Sequence, residues 1–256
     1  ASDTDSVYLR LGNLVRAAAQ GKSEEEIVRF LDKSCKEIIE PFIKKAYETL
    51  AAKMNAHANK MVMEREVIAD VGVWTAKKRY MLNVHNSEGV QYDEPKMKIM
   101  GIETTRSSTP MVVRQKLKDA IKLVLTGTED QVIDFIDDFK QEFKKYSPDE
   151  IAFPRGCNNL ITYQDETHIY RKSTPIAVKG ALIYNHFLKK MKLTDRYYAI
   201  NEGDKVKFLY LAVPNPFQNT VISFPGSSPK EFELKDYADY DKQFAVSFLE
   251  PLKNIL

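Results

Sequence analysis

A chain of 256 residues with 43% hydrophobic side chains can bury a substantial core, and its length fits one large or two modest domains, of which two is the expected number. A net charge of +2 is too small to mark a nucleic-acid binder by bulk charge, so affinity for a polyanion must come from local patches such as Lys77 to Arg79 and Lys189 to Lys192. No apolar run approaches the roughly 20 residues of a membrane span and no signal peptide is visible, so the chain reads as soluble and intracellular with no membrane partner. Cys35 and Cys157 stand far apart without a Cys-x-x-Cys or paired His spacing, which excludes a zinc-ribbon or disulfide-scaffold class and leaves them as small apolar residues.

In chain order, Asp3-Thr4-Asp5-Ser6 places two carboxylates at i and i+2 on a strand that turns, and Val7, Leu9 and Leu11 alternate with Tyr8 and Arg10 as a half-buried strand leaving that turn. Ser23-Glu24-Glu25-Glu26 has the capping-box spacing. It opens a helix with apolar residues at Ile27, Phe30, Leu31, Ile38, Ile39, Phe42, Ile43, Tyr47, Leu50 and Met54, kinked or divided at Pro41. Residues 61–69 read as a strand that puts Glu64 and Glu66 on one face. Val73 to Val84, a turn at Asn86 to Gly89, and Val90 to Tyr92 read as a hairpin.

From Thr109-Pro110, a cap with proline at the first helical position, helices dominate. Val113, Leu117, Ala120, Ile121 and Val124 line one helix that Gly127 ends. Thr128 caps a second with Val132, Phe135, Ile136, Phe139 and Phe143 inward and Asp134, Asp137 and Asp138 on the solvated side. A third runs from Thr174-Pro175 to about Lys190. Val206, Phe208, Tyr210 and Ala212 alternate as a strand, residues 214–216 and 225–229 are loops, and Phe244 to Leu252 forms a short closing helix.

Paired carboxylates suit a hard divalent cation beside a polyphosphate, although Asp-x-Asp also occurs in turns and calcium loops. Here the glycine and carboxylate spacing of a calcium loop are lacking. Glu64 and Glu66 are either further carboxylates near such a site or an exposed polar face. Lys77-Lys78-Arg79 is either a phosphate grip or a solvated run, and Lys96 and Lys98 either flank the same polyanion or are surface lysines. His57, His85, His168 and His186 show no metal or triad spacing.

Taken in order and spacing, Asp3-Thr4-Asp5-Ser6, Met63-Glu64-Arg65-Glu66-Val67-Ile68-Ala69, Thr75-Ala76-Lys77-Lys78-Arg79-Tyr80 and the run from Lys96 to Pro110 resemble the C-terminal palm and thumb of B-family DNA polymerases. The nearest resemblance is to the replicative enzymes of T-even-type tailed phages. It implies an α+β fold: an antiparallel palm sheet with packed helices over residues 1–103, then a mainly helical thumb with a small β element over 104–256.

By resemblance Asp5 is the principal metal ligand, Asp3 its companion and Glu66 a further carboxylate, with Glu64 secondary and two Mg2+ ions as cofactor. Lys77, Lys78, Arg79 and Tyr80 match the signature that holds the primer strand, and Arg106 takes the place of a basic residue, lysine in close relatives, that reaches the duplex minor groove. Arg171, Lys172, Lys179, Lys189, Lys190 and Lys192 are thumb cations. Lys96, Lys98 and Lys179 are secondary candidates.

The upstream palm aspartate, the nucleotide-binding fingers and the proofreading exonuclease have no counterpart in these residues. The expected partners are therefore primer-template DNA, dNTP in the complete enzyme, and an N-terminal polymerase fragment without which the chain is inactive. No clamp-docking tail follows Lys253-Asn254-Ile255-Leu256, which speaks against direct binding of a sliding clamp. Beginning at Ala1, the chain reads as an excised piece or the C-terminal product of a split polymerase, acting in the cytoplasm of an infected bacterial host. The alternative is a non-catalytic double-stranded DNA-binding module that keeps the grip and has lost the chemistry.

Overall fold

The computed structural model describes the backbone of residues 2–3, 6–101 and 107–255, and side chains from residue 6 onward within those ranges. The chain is α+β and divides into two compact units, Ala1–Gly101 and Ile102–Leu256.

In the first unit, β1 (Ser2–Asp3) pairs antiparallel with β2 (Ser6–Val7), Asp3 opposite Ser6. The strand expected to run on to Leu11 stops at Val7. Val7 and Leu9 are 56% and 57% exposed, so no sheet face claims them. The good helix formers that follow make α1 (Gly12–Ala18) instead.

The capping box at Ser23 is present and opens α2 (Glu24–Ser34). The Glu26 backbone N–H donates to Ser23 Oγ (3.3 Å), and the Ser23 N–H donates to Glu26 Oε2 (2.9 Å). The bond from the Ser23 N–H, with the Ser23 hydroxyl beside it, holds the Glu26 carboxyl below its usual value. Helix continues through a π segment, Cys35–Ile39, into α3 (Glu40–Lys53). Pro41 therefore does not divide the helix. An α-helical Pro41 ring would strike the Glu37 carbonyl four residues back; the π turn, with the Glu40 N–H bonded to the Cys35 carbonyl, widens the helix just ahead of it.

The sheet of this unit is an antiparallel meander of β3 (Val67–Ala76), β4 (Arg79–Ser87) and β5 (Val90–Met100), in that order. Glu64 and Glu66 precede β3 rather than lying on a strand. The stretch from Val73 to Val84 is two strands, not one, because Lys77 and Lys78 form a hairpin turn in which Lys78 takes φ +60°. Nothing local announces that turn, since Gly, Asn and Asp are absent from it. The next turn is better marked: Glu88 and Gly89 both have positive φ, +50° and +88°, the pattern of a type I′ hairpin, and the Gly89 N–H donates to Asn86 Oδ1 (3.2 Å).

In the second unit α4 (Met111–Thr126) and α5 (Glu129–Phe143) follow as read, with Gly127 as C-cap and a Thr128–Gln131 capping box. Pro110 is the N-cap itself, so the helix starts one residue later than expected. Asp134, Asp137 and Asp138 are exposed, while Phe139 and Phe143 are buried.

Next come α6 (Pro148–Ile151), β6 (Phe153–Gly156), α7 (Leu160–Tyr163), a two-residue ladder of β7 (Gln164–Asp165) and β8 (Ile169–Tyr170), and α8 (Ile176–Lys190). β9 (Lys205–Tyr210) lies between β10 (Val221–Phe224) and β6 in an antiparallel sheet. Against this sheet packs α8, closely enough that a Cβ on Gly180 would come within 2.6 Å of the Ser223 nitrogen, so only glycine fits there.

After α9 (Leu234–Tyr237), a helix capped by Asp239 closes the chain as α10 (Tyr240–Phe244), a π segment Ala245–Leu249, and α11 (Glu250–Lys253). Pro251 is accommodated as Pro41 is, with the Glu250 N–H bonded to the Ala245 carbonyl.

The units are unequal in core. Among the described residues, the first buries seven apolar side chains (Ala19, Val28, Cys35, Ile68, Met81, Leu82 and Val84) and the second 35. In the larger core, buried Gln243 donates to the Ile151 carbonyl (2.6 Å) and accepts from the Tyr210 N–H (3.2 Å). Glu142 takes hydrogen bonds from Lys116 Nζ (2.6 Å) and the Tyr146 hydroxyl (2.5 Å), which pushes the Tyr146 pKa up to about 12. Burial raises the Cys157 thiol to about 11 and also raises Cys35, so both cysteines behave as small core residues.

Candidate metal and nucleic-acid site

The exposed lysine turn is built from the sheet outward. Trp74 on β3 and Tyr80 on β4 are register partners, their ring centroids 6.3 Å apart, and Tyr8 meets both at 5.0 and 5.7 Å. Such a cross-strand aromatic pair stiffens a hairpin close to its tip. Lys77 and Lys78 are exposed beyond it, while Arg79 and Tyr80 are half-buried at the start of β4. Gly101, at φ +69°, passes so close beneath that a Cβ there would lie 2.3 Å from the Lys78 carbonyl oxygen. The two ammonium groups thus stand on a braced support.

Farther along the sheet, Lys98 on β5 lies opposite Leu82 and makes an ion pair with Glu66. The fold therefore joins a carboxylate read as a metal ligand to a lysine read as a DNA contact. Glu64 is exposed. Lys96, opposite Val84, holds its Nζ 4.2 Å from the centre of the Tyr92 ring. Lys179, on α8 in the second unit, holds its Nζ 4.7 Å from the Tyr170 ring. Asp5 and Arg106 lie outside the described residues; for Asp3 only the backbone, in β1, is described.

Two features escaped the sequence reading. The Tyr8–Trp74–Tyr80 cluster carried a weak signal, the chain's single tryptophan three residues before Lys77. Asp70 accepts hydrogen bonds from the Val71 N–H (2.8 Å) and Asn83 Nδ2 (3.0 Å), and His85 Nε2 stands 3.3 Å from the same carboxylate oxygen without a hydrogen bond to it. This cluster makes His85 a buried structural residue whose partner is far in sequence. Among the described residues no group of three or more His, Cys, Asp or Glu is placed to hold a metal ion. No helix among them is long and apolar enough to cross a membrane.

No family model matches the chain. It is 32% identical over 266 residues to the DNA-directed DNA polymerase of Enterobacteria phage T4 and 33% identical over 265 residues to that of Escherichia phage RB69. Each match covers 98% of this chain and 29% of the relative, so the chain spans under a third of the length of these curated relatives. Along nearly its whole length the chain is thus similar to a part of phage DNA-directed DNA polymerases, as a fragment of such an enzyme would be.

Proposed function

We propose that the chain is the C-terminal palm (1–103) and thumb (104–256) of a DNA-directed DNA polymerase working in the cytoplasm of an infected bacterial host. In this reading it grips the primer-template duplex and contributes Asp5, with Asp3 beside it, to a two-metal centre for nucleotidyl transfer from dNTP. An N-terminal polymerase polypeptide completes that centre. The observation that carries the reading is the identity to two phage polymerases along 98% of the chain.

In this reading the centre draws on Asp3, Asp5 and carboxylates of the other polypeptide. Carboxylate oxygens are the donors Mg2+ favours. Bound there, the metal supplies neutralisation of the charge that develops on the transferred phosphoryl group and lowers the pKa of the primer hydroxyl. Glu66 is a further candidate ligand, at present neutralised by Lys98. Lys77, Lys78 and Arg79 neutralise backbone phosphates, Tyr80 anchors them to the sheet, and Arg106 reaches the minor groove, where acceptors occur on every base pair and the grip is indifferent to sequence. Lys96 and Lys179 add to the field around the duplex.

The test is primer extension. The chain alone is expected to extend no primer, and mixing it with the polypeptide that matches the rest of the relatives' length is expected to restore Mg2+-dependent synthesis. Synthesis by the purified chain alone would overturn the reading. Duplex binding by the mixed pair without synthesis would assign the chain to the alternative, a non-catalytic duplex-binding module.

The grip has its own signature in a salt titration. Each phosphate contact removed should reduce the slope of log K against log salt by roughly 0.9, so Lys77→Ala/Lys78→Ala/Arg79→Ala is expected to weaken primer-template binding irrespective of base sequence and to flatten that slope by about 1 to 3. Equal binding by parent and triple variant at about 50 mM salt, where screening is weak, would remove the turn from the interface.

A further inference from the structure

The first unit leaves open a large share of the apolar surface it owns. Of the 19 large apolar side chains exposed among the described residues, 12 lie in it, although it is the smaller unit. Four of them follow one continuous helix, Ile38 in the π segment, Phe42 and Leu50 on α3 and Met54 at its C-cap. α3 buries no residue at all. Ile38, Phe42, Leu50 and Met54 are 67%, 74%, 46% and 73% exposed, and with exposed Ala46 they fall four residues apart in a single ridge. Rows of that spacing are what one helix inserts into the grooves of another. An unbroken apolar row on a soluble surface marks an interaction site.

We propose that this ridge is the docking face for the polymerase polypeptide corresponding to the rest of the relatives' length, which crosses α3 with a helix of its own. The proposal rests on the polymerase reading. More than two thirds of the relatives' length lies outside the match, and that polypeptide must bury apolar surface against this region if the two act together. The first unit, with seven buried apolar side chains of its own, is where such surface is missing. It is also the unit whose candidate carboxylates need completion from outside, so one partner meets both needs. Exposed Lys45, Thr49 and Lys53 run alongside the ridge, three residues on from Phe42, Ala46 and Leu50, and give the apolar row a polar border like the rim of a protein interface.

The test uses the full chain and, as probe, the separately purified polypeptide from the same genome that matches the remaining length of the phage T4 polymerase. Titration calorimetry of the parent is expected to show binding. The Phe42→Asp/Leu50→Glu variant should bind at least about 100-fold more weakly, since truncated or charged anchor residues carry most interface energy. Phe42→Ser/Leu50→Ser, a milder change at the same solvent-facing positions, should lose about tenfold, and Lys45→Ser less than about twofold. Unchanged circular dichroism will show that the variants fold. Absence of binding by the parent, or equal binding by parent and charged variant, overturns the proposal. So does ridge-dependent self-association, which would make the occupant a second copy. Ridge-dependent binding without synthesis by the mixed pair keeps the docking face and removes the polymerase reading; synthesis indifferent to the ridge variants does the reverse.

Discussion

In the chain mixed with its complementary polymerase polypeptide, Asp5→Ala is expected to lower single-turnover nucleotide incorporation by about 10^3-fold or more, equivalent to roughly 4 kcal/mol of lost transition-state stabilisation. Primer-template affinity should change by less than about threefold, because on the proposed reading the carboxylate would act on the reacting phosphate through bound metal, while the cations of the lysine turn would hold the duplex. Asp3→Ala should cost about tenfold, as befits a companion that shapes the field more than it ligates. Raising Mg2+ should recover part of the Asp5→Asn rate and none of the loss in the triple variant of Lys77, Lys78 and Arg79. Equal losses for Asp3→Ala and Asp5→Ala, or more than a few per cent of the parent rate in Asp5→Ala, would show that the roles are misassigned.

The second large effect concerns stability. Phe139 is 1% exposed and sits at the centre of an aromatic cluster. Its ring lies 5.7 Å from Phe143, 5.6 Å from Phe244 and 4.8 Å from Phe248, so it joins α5 to the closing helix. Those neighbours are held by their own elements and can fill the space only in part. Phe139→Ala should therefore destabilise the second unit by about 3–5 kcal/mol. At roughly 2–4 °C per kcal/mol for a unit of this size, its melting temperature should fall by roughly 6–20 °C. Ile133→Ala on the same helix, at a position 50% exposed, should change stability by less than about 0.5–1 kcal/mol. A loss below about 1 kcal/mol for Phe139→Ala would mean that the closing helix does not depend on this ring.

The parts of the fold that were legible in the sequence are those decided within a few residues. Ser23 with Glu26 and Thr128 with Gln131 close their capping boxes across three residues, and Gly127 ends α4 where the helical pattern ends. The outward Asp134, Asp137 and Asp138 followed from the helical period alone. β10 was missed because all four of its residues are buried, so it lacks the alternation that announced β9. β6, with Pro154 and Gly156 in four residues, carries no strand signal of its own and is a strand because β9 pairs with it.

For the candidate site the division is similar. The chain's order of residues by itself established the family resemblance, the Asp-x-Asp pair and the cation run, since these are statements about spacing along the chain. Only the tertiary structure decided that Lys77 and Lys78 turn a hairpin, that Trp74 and Tyr80 brace it, that Glu66 is neutralised by a lysine 32 residues away, and that α3 keeps an apolar ridge uncovered. The physical reason is range. Caps and periodicities are set by bonds and side-chain spacings within one or two turns of chain, whereas a cross-strand pair, an ion pair between distant segments and the presence or absence of a covering surface depend on which distant residues the folded chain brings alongside.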